Sequence, residues 1–269
     1  NAESRNGEVI SVAGAAMRFS LRNGALPLLT TKRVAYKTCL RELLWFIAGK
    51  TDVASLNAKG VRIWDLNGSR AHLDSAGLHD RAEGDLGPVY GHQWRHFGAE
   101  YSTCNADYSG KGIDQLGEIV AALCNPKYHN SRRLVMSAWC PPQLTQMALP
   151  PCHVLSQFHV KDGALHCSMY QRSCDIALGV PFNIASYGLL THLLAHHAGL
   201  EPGDFIYHMG DCHIYAHHVE TLRAQLSRPI KAPPILSITA KHATINDYVE
   251  GDFLLTDYQP ASALRFELC

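Results

Sequence analysis

Two alternating runs of apolar and polar residues between Val154 and Ser173 constrain the fold of this chain more than any other feature. They flank Lys161-Asp162-Gly163-Ala164, and an Asp-Gly pair between two such runs is typical of a β-hairpin. The sequence therefore predicts two neighbouring antiparallel strands in its second half.

Further strands are predicted on both sides of this hairpin. The segment from Val9 to Leu21 is rich in β-branched and apolar residues and ends at Arg22-Asn23-Gly24, which indicates a strand followed by a turn. Shorter strands are predicted over Leu134 to Trp139 and Ile235 to Ala240. The segment from Asn67 to Gly112 is rich in Gly, Asp, Ser and His without periodicity, so we expect it to be mostly irregular.

Four segments have helical patterns. Lys37 to Lys50 contains a run that is apolar on every side, which predicts a helix buried all round with Glu42 buried at its start. The other helices are predicted over Ile113 to Leu123, over Ile184 to Ala198, and after Asp211 as far as Leu226. Helices mixed with mostly antiparallel strands predict an α+β fold, and without repeats or linkers residues 1–269 are expected to form one domain.

Composition argues against several classes of protein. Lysine plus arginine and aspartate plus glutamate both number 24, so net charge favours neither a nucleic-acid nor a membrane surface. Nine cysteines without CxxC spacing predict free thiols in a reducing compartment. No apolar run approaches a membrane span and no leader is recognisable, so the cytoplasm is expected, with the nucleus left open. The first residue is Asn1 rather than Met, which leaves open a longer polypeptide with an upstream helix or domain.

A cysteine follows two prolines in Leu149-Pro150-Pro151-Cys152-His153, directly before the predicted hairpin. Because proline cannot enter a central ladder, the pair holds Cys152 at the mouth of a strand. A buried structural thiol is the commoner interpretation of an isolated cysteine. Arg172 and the tandem Arg132-Arg133 favour a reactive thiol, because a cation lowers a thiol pKa and guanidinium groups bind phosphate. These residues suggest a phosphorylated substrate.

Six motifs then occur in order along the chain, and together they resemble thymidylate synthase over nearly its whole length. They are Pro27-Leu28-Leu29-Thr30-Thr31-Lys32-Arg33, Glu42-Leu43-Leu44-Trp45-Phe46, Gly84-Asp85-Leu86-Gly87-Pro88-Val89-Tyr90-Gly91, Leu149-Pro150-Pro151-Cys152-His153, Tyr170-Gln171-Arg172-Ser173-Cys174-Asp175 and Gly179-Val180-Pro181-Phe182-Asn183-Ile184-Ala185-Ser186-Tyr187. Longer loops around Asn67 and Phe97 resemble the eukaryotic members. The resemblance implies one α+β domain with a large mixed, mainly antiparallel sheet packed against helices, and a homodimer formed through the sheet.

The same resemblance implies a mechanism. Cys152 attacks C6 of the uracil ring of dUMP, and C5 then attacks the one-carbon unit of 5,10-methylenetetrahydrofolate. Glu42 is implied as general acid and base through ordered water, and Tyr90 helps the C5 proton to leave. The implied catalytic residues are Cys152, Glu42, Tyr90, Asn183, Arg172 and Asp175.

For dUMP, the resemblance implies a site shared between two subunits. Arg5, Arg172 and Ser173 of one subunit hold the phosphate together with Arg132 and Arg133 of the other, while His213 and Tyr215 hold the ribose hydroxyl. Asn183 pairs with O4 and N3 of uracil, because a carboxamide offers a donor to O4 and an acceptor to N3–H; capping of the following helix is its alternative interpretation. The implied dUMP residues are Arg5, Arg132, Arg133, Arg172, Ser173, Asp175, Asn183, His213 and Tyr215.

The reduced folate is implied to stack over the pyrimidine, with Asp175 accepting a hydrogen bond from the pterin ring. Its implied contacts are Ile63, Trp64, Asn67, Asp175, Leu178, Gly179, Phe182, Tyr215 and Leu268. The chain departs from the family pattern in its short Arg5-Asn6-Gly7 loop, at Ala35 and Cys140, and in its Phe266-Glu267-Leu268-Cys269 tail.

Three alternatives stay open at this point. Sixteen histidines, with His213 and His217 spaced to share a helix face, suggest a metal site, although no metal is expected from the resemblance. A nucleotide hydroxymethylase of the same fold is a second alternative, and Asn183 argues against it because the dCMP-directed relatives place aspartate there. A dimer that binds nucleotide or RNA without turnover is the third; Cys152, Glu42 and the balanced charge argue against it.

Overall fold

The computed structural model describes residues 2–4 and 7–267, and its main element is a six-stranded mixed sheet. The strands run in the spatial order β1-β2-β6-β5-β4-β3; among them β5 and β6 are parallel and the other neighbours are antiparallel. They span β1 (Ala2–Ser4), β2 (Gly7–Ser20), β3 (Val135–Ser137), β4 (His153–Lys161), β5 (Ala164–Asp175) and β6 (Glu201–Tyr215). The α+β fold and the mainly antiparallel sheet are thus confirmed.

The predicted hairpin is the pair β4 and β5. Lys161 is registered with Ala164, and the two residues between them have φ of 53° at Asp162 and 76° at Gly163. Two consecutive positive φ values are what a type I′ turn requires, which explains the Asp-Gly pair. The turn predicted after β2 is a short 3-10 helix, Arg22–Gly24.

Helices cover one face of the sheet. α7 lies against β5 and β6 and is buried almost continuously from Val180 to Ala195, while α1 contributes Leu43 and Phe46 to the same core. A second, two-stranded sheet pairs β7 (Ile235–Ile238) with β8 (Phe253–Thr256). The helices are α1 (Tyr36–Ile47), α2 (Val53–Asn57), α3 (Asp65–Gly68), α4 (Arg70–Ser75), α5 (Tyr90–His96), α6 (Gln115–Leu123), α7 (Gly179–Ala198) and α8 (Val219–Leu226).

The segment from Asn67 to Gly112 is mostly irregular, as predicted, although it contains the short helices α4 and α5. α4 is set by a local cap, Ser69 Oγ accepting from the His72 amide at 3.3 Å, which needs no long periodicity. One prediction about these elements was wrong. The helix predicted after Asp211 begins only at Val219, because β6 continues to Tyr215 in register with β2 and β5. α7 also begins earlier than predicted, at Gly179.

The opposite face of the sheet carries exposed apolar side chains. Leu155 is registered with Tyr170, and Val12 and Ile10 lie on the same face of β2. Their exposed fractions are 38% for Leu155, 44% for Tyr170, 63% for Val12 and 46% for Ile10. We call these four residues the open sheet face. Among the described residues, no helix is long and apolar enough to cross a membrane.

Gly91 gives a test of how tightly α5 is held. A Cβ at this position would collide with the Lys50 carbonyl oxygen and lie 2.9 Å from the Gly49 carbonyl carbon. In an open helix, Gly→Ala stabilises by about 1 kcal/mol, but we expect Gly91→Ala to destabilise the protein by about 2 kcal/mol through overpacking. Urea unfolding followed by circular dichroism measures the change. Gly251→Ala, where a Cβ meets nothing within 4 Å, is the matched control, and stabilisation by Gly91→Ala would contradict the collision.

Candidate active site

Cys152 lies at the entrance to β4, where the two prolines end the preceding loop. Its amide donates a hydrogen bond to Tyr90 Oη at 2.7 Å, and its carbonyl accepts from the Arg172 amide at 2.9 Å. Its Sγ is 4.0 Å from Arg172 Nη2. The thiol is therefore held on both sides by main-chain hydrogen bonds and faces one cation.

Arg172 is itself oriented by the proline loop. Its Nε donates to the Pro151 carbonyl at 2.8 Å and its Nη2 to the Pro150 carbonyl at 3.0 Å. The guanidinium carbon also lies 5.6 Å from the centroid of the Trp139 ring. The two prolines thus end the preceding loop and also supply carbonyl oxygens that accept hydrogen bonds from Arg172.

The net shift in the pKa of the Cys152 thiol differs from the sequence-based prediction. Burial raises the pKa of Cys152, and the charge of Arg172 opposes this by lowering it. The predicted direction of the arginine's effect is right, but the larger effect of burial was missed because the sequence does not reveal how deeply a thiol lies.

Tyr90, which binds the Cys152 amide, forms an aromatic stack with His153. Their ring centroids are 3.9 Å apart at 11°, and Phe46 packs on Tyr90 at 4.9 Å. His153 Nδ1 bonds to Tyr187 Oη at 2.9 Å, and burial lowers the pKa of His153 to about 3. His153 is therefore neutral at pH 7, and burial keeps the pKa of Tyr90 well above its usual value.

Glu42 lies in the middle of α1 rather than at its head. Trp64 Nε1 donates to Glu42 Oε1 at 2.7 Å. Burial raises the pKa of Glu42 to about 7, against the lowering effect of that hydrogen bond. The carboxyl is thus poised to exchange protons near neutral pH.

The start of α7 meets the end of β5. Asp175 Oδ1 accepts from the amides of Ala177 at 2.9 Å and Leu178 at 3.3 Å. Asn183 lies inside α7, which begins at Gly179, so its alternative interpretation as a helix cap is wrong. Instead its Oδ1 accepts from Gln171 Nε2 at 3.0 Å.

The implied ribose residues lie on β6, beside the end of β5. Because these strands are parallel, Ser173 is registered with Asp211 and Asp175 with His213, so all four lie at one edge of the sheet. His213 Nδ1 is 2.8 Å from Asp211 Oδ1, and the rings of His213 and Tyr215 are 5.5 Å apart.

Because His213 lies on β6, His213 and His217 share no helix. The described residues contain no group of three or more His, Cys, Asp or Glu placed to hold a metal ion.

The residues implied to contact the folate form two groups, one around Trp64 and one at the start of α7. Trp64 is buried beside Glu42, and Ile63 next to it is 44% exposed, with Asn67 half-buried on α3. Leu178, Gly179 and Phe182 are half-buried around the first turn of α7.

The C-terminal tail returns to this region. Lys32 Nζ donates to the Ala177 carbonyl and lies 4.3 Å from the centroid of the Phe266 ring. His218 Nε2 bonds to the Glu267 carbonyl at 2.8 Å. Burial lowers the pKa of Lys32 to about 8, while the charge of Asp175 raises it. Arg5 and Leu268, also implied from the sequence, lie outside the described residues.

Arg132 and Arg133 are not brought to Cys152 of their own chain. Both are exposed and precede β3, whose Val135 is registered with Gln157 near the far half of β4. At about 3.3 Å per residue, Arg133 lies about 20 Å from Cys152 along the sheet.

Comparison with known proteins decides the family. The sequence profile described as "Thymidylate synthase" matches residues 1–269. Human thymidylate synthase is 53% identical over 260 residues, covering 96% of this chain and 82% of the relative. Thymidylate synthase of Ascaris suum is 51% identical, covering 96% and 87%. The chain belongs to the thymidylate synthase family. The bifunctional dihydrofolate reductase-thymidylate synthase 2 of Arabidopsis thaliana is 53% identical and covers 96% of this chain and 45% of that protein.

Membership makes the protein an enzyme of a methyltransferase family. Thymidylate synthases bind dUMP and use a folate co-substrate, so the resemblance read from the six motifs is confirmed at the level of the family.

Several residues of the site were missed from the sequence of this thymidylate synthase family member. Gln171, Asp211 and His153 touch the implied residues through hydrogen bonds or ring stacking, and Tyr207 is hydrogen-bonded to Gln171. Gln171 and His153 lie inside two of the six motifs. A polar side chain in an otherwise apolar strand pattern was the signal that could have identified them. Tyr207 had no such signal, because a tyrosine in a strand is ordinary.

Glu42→Gln tests the raised pKa of Glu42. A carboxyl whose folded-state pKa rises from 4.5 to about 7 contributes stability that is fully present below pH 4.5 and is lost as the pH rises through 7. We therefore expect the unsubstituted protein to lose stability relative to Glu42→Gln over this window, by on the order of 3 kcal/mol. Urea unfolding at several pH values measures the difference, with the exposed Glu118→Gln as control. A difference that is independent of pH would overturn the assignment.

Proposed function

We propose that this protein converts dUMP to dTMP, with 5,10-methylenetetrahydrofolate as the donor of one carbon and a hydride and dihydrofolate as the second product. The observation that carries the proposal is the half-buried Cys152 thiol 4.0 Å from Arg172, in a chain of the thymidylate synthase family.

Cys152 is the nucleophile. Its sulfur adds to C6 of the uracil ring, and the electrons move so that C5 becomes an enolate-like nucleophile that bonds to the one-carbon unit. Loss of the C5 proton then breaks the bond between the one-carbon unit and the folate nitrogen, which leaves an exocyclic methylene at C5. A hydride from the tetrahydrofolate converts this methylene to a methyl group while the sulfur leaves C6 as thiolate, and the folate becomes dihydrofolate. Arg172 supports the thiolate because it lowers the pKa that burial raises.

Glu42 and Tyr90 carry out the proton transfers. A carboxyl with a pKa of about 7 donates and accepts protons at similar cost at neutral pH, which suits Glu42 to exchange protons with O4 through water. Tyr90, whose Oη accepts from the Cys152 amide, assists removal of the C5 proton.

The proposed dUMP site lies at the end of the sheet where β5 and β6 both terminate. Arg172, Ser173 and Arg5 bind the phosphate, and His213 and Tyr215 bind the ribose hydroxyl. Asn183 pairs with O4 and N3–H of the base, while Asp175 lies between nucleotide and folate. The Asp211 carboxylate orients the His213 ring through the 2.8 Å contact.

The reduced folate packs between the two half-buried groups of residues described above. Ile63, Trp64 and Asn67 are on one side and Leu178, Gly179 and Phe182 on the other, with Asp175 as a polar partner of the pterin. Exposed apolar surface such as Ile63 favours a flat ring partner. Tyr215 and Leu268 complete the proposed set. No metal ion or nucleic acid takes part.

The active form is a homodimer. The open sheet face supplies the apolar surface for a second copy, since exposed Leu155, Tyr170, Val12 and Ile10 are unusual on a monomer's sheet. Arg132 and Arg133, about 20 Å from their own thiol, then bind the phosphate in the partner's site. Eight described cysteines without disulfides support a reducing compartment, for which we propose the cytoplasm or the nucleus.

The direct test is incubation of the protein with dUMP and 5,10-methylenetetrahydrofolate. Dihydrofolate formation followed by absorbance, together with dTMP by chromatography, supports the synthase. Hydroxymethyl-dUMP without dihydrofolate would identify the hydroxymethylase instead, and binding of dUMP without any product would identify an inactive binding protein.

Cys152→Ala tests the nucleophile. Because the variant lacks the sulfur that forms the C6 adduct, we expect turnover to fall by about four orders of magnitude or more, with dUMP still bound in calorimetry. Cys124→Ala, an exposed thiol after α6, is the matched control and should retain full turnover. Substantial activity in Cys152→Ala would refute the mechanism.

Subunit complementation tests the shared site. Cys152→Ala and Arg132→Ala/Arg133→Ala chains should each be nearly inactive, yet their heterodimer holds one intact site and one site with both defects. After unfolding and refolding an equal mixture, random pairing restores roughly a quarter of the sites. Activity measured before and after mixing gives the result; no recovery, with dimers confirmed by light scattering, would place the arginines outside the partner's site.

A further inference from the structure

Tyr207 anchors a hydrogen-bonded relay that ends at Asn183. Tyr207 lies on β6 and is 0% exposed, and its Oη is 2.7 Å from Gln171 Oε1 on β5. An amide oxygen can only accept, so the phenol must donate this hydrogen bond. Burial keeps the pKa of Tyr207 far above its usual value, so the donor proton is present throughout the neutral range.

The tyrosine thereby determines which way the Gln171 amide points. With Oε1 turned to Tyr207, Nε2 donates its two protons to the Ser173 carbonyl at 2.9 Å and to Asn183 Oδ1 at 3.0 Å. A reversed Gln171 amide would bring its oxygen against the Ser173 carbonyl and leave that acceptor without a donor. Gln171 is 2% exposed, so water cannot readily compensate.

The orientation of Gln171 is passed on to Asn183. Because Gln171 donates to Asn183 Oδ1, the carboxamide of Asn183 is held in one of its two orientations, which differ by exchange of oxygen and nitrogen. One lone pair of Oδ1 and the Nδ2 protons stay available to a ligand. That pattern accepts from N3–H and donates to O4 of uracil, whereas the reversed amide suits N3 and the amino group of cytosine.

We infer that Tyr207, acting through Gln171, is a specificity-determining positioning residue that makes Asn183 select uracil over cytosine nucleotides. The inference rests on the proposed function, since it concerns the base that Asn183 binds. An amide free to reverse would bind both bases with little preference, so the selection depends on what holds the amide. Tyr207 and the Ser173 carbonyl are the two groups that fix the Gln171 amide.

A purely structural role for Tyr207 makes a different prediction. Its ring stacks on Phe205 with centroids 5.7 Å apart, so the residue also belongs to the core. Tyr207→Phe keeps this ring and removes only the hydroxyl. If the hydroxyl serves stability alone, Tyr207→Phe lowers the midpoint of unfolding and leaves the preference between bases unchanged.

The experiment measures the dissociation constants of dUMP and dCMP by calorimetry for the unsubstituted protein and Tyr207→Phe. The expected result is a fall of about tenfold in the ratio Kd(dCMP)/Kd(dUMP), the size typical of one buried polar interaction. Tyr248→Phe, which removes another buried hydroxyl bonded to His197, is the matched control and should keep the ratio.

A double-mutant cycle separates the relay from general loosening of the site. In an Asn183→Ala background, Tyr207→Phe should leave the ratio unchanged, because the side chain through which it acts is absent. An unchanged ratio in Tyr207→Phe alone, or an equal fall in both backgrounds, overturns the inference. If the unsubstituted protein does not bind dUMP at all, the proposed function fails instead, so the two failures are distinguishable.

Discussion

β5 and β6 run parallel inside a sheet whose other described neighbours are antiparallel, and the geometry of the site depends on this pairing. Parallel strands end at the same edge, so Ser173 and Asp175 are registered with Asp211 and His213. A parallel pair also needs a crossover connection, and here it is α7. Since α7 must start where β5 ends, its second turn places Asn183 beside Gln171 of β5.

Burial is the dominant electrostatic influence in this region. It raises the pKa of Cys152 and Glu42 and lowers that of His153 and Lys32, in each case favouring the neutral form. Specific partners modify this effect: Arg172 opposes it at Cys152 and Asp175 opposes it at Lys32. Guanidinium groups remain charged in such an environment and are suited to bind a substrate that carries a phosphate.

The hydrogen bonds of the site also connect to residues that no ligand would touch. Pro150 and Pro151 orient Arg172 through their carbonyl groups, and Tyr207 orients Gln171 from within the core. Such supporting contacts limit the freedom of a guanidinium or an amide whose function depends on direction. The rigid sheet thus restricts the orientation of side chains at its edge.

The sequence alone determined the elements with local signals. Asp162-Gly163 specified the hairpin turn, and Gly199, which adopts the left-handed conformation at the end of α7, specified where that helix stops. Local chemistry is sufficient there because a positive φ or a periodic apolar face is a property of a few consecutive residues. The six motifs identified the family for the same reason, since each is a contiguous run.

Only the tertiary structure decided the features that join distant parts of the chain. The continuation of β6 to Tyr215, the rise in the Cys152 pKa and the Tyr207–Gln171–Asn183 relay all depend on neighbours from other elements. The physical reason is that burial and hydrogen-bond direction are set by what packs against a group, which spacing along the chain does not encode.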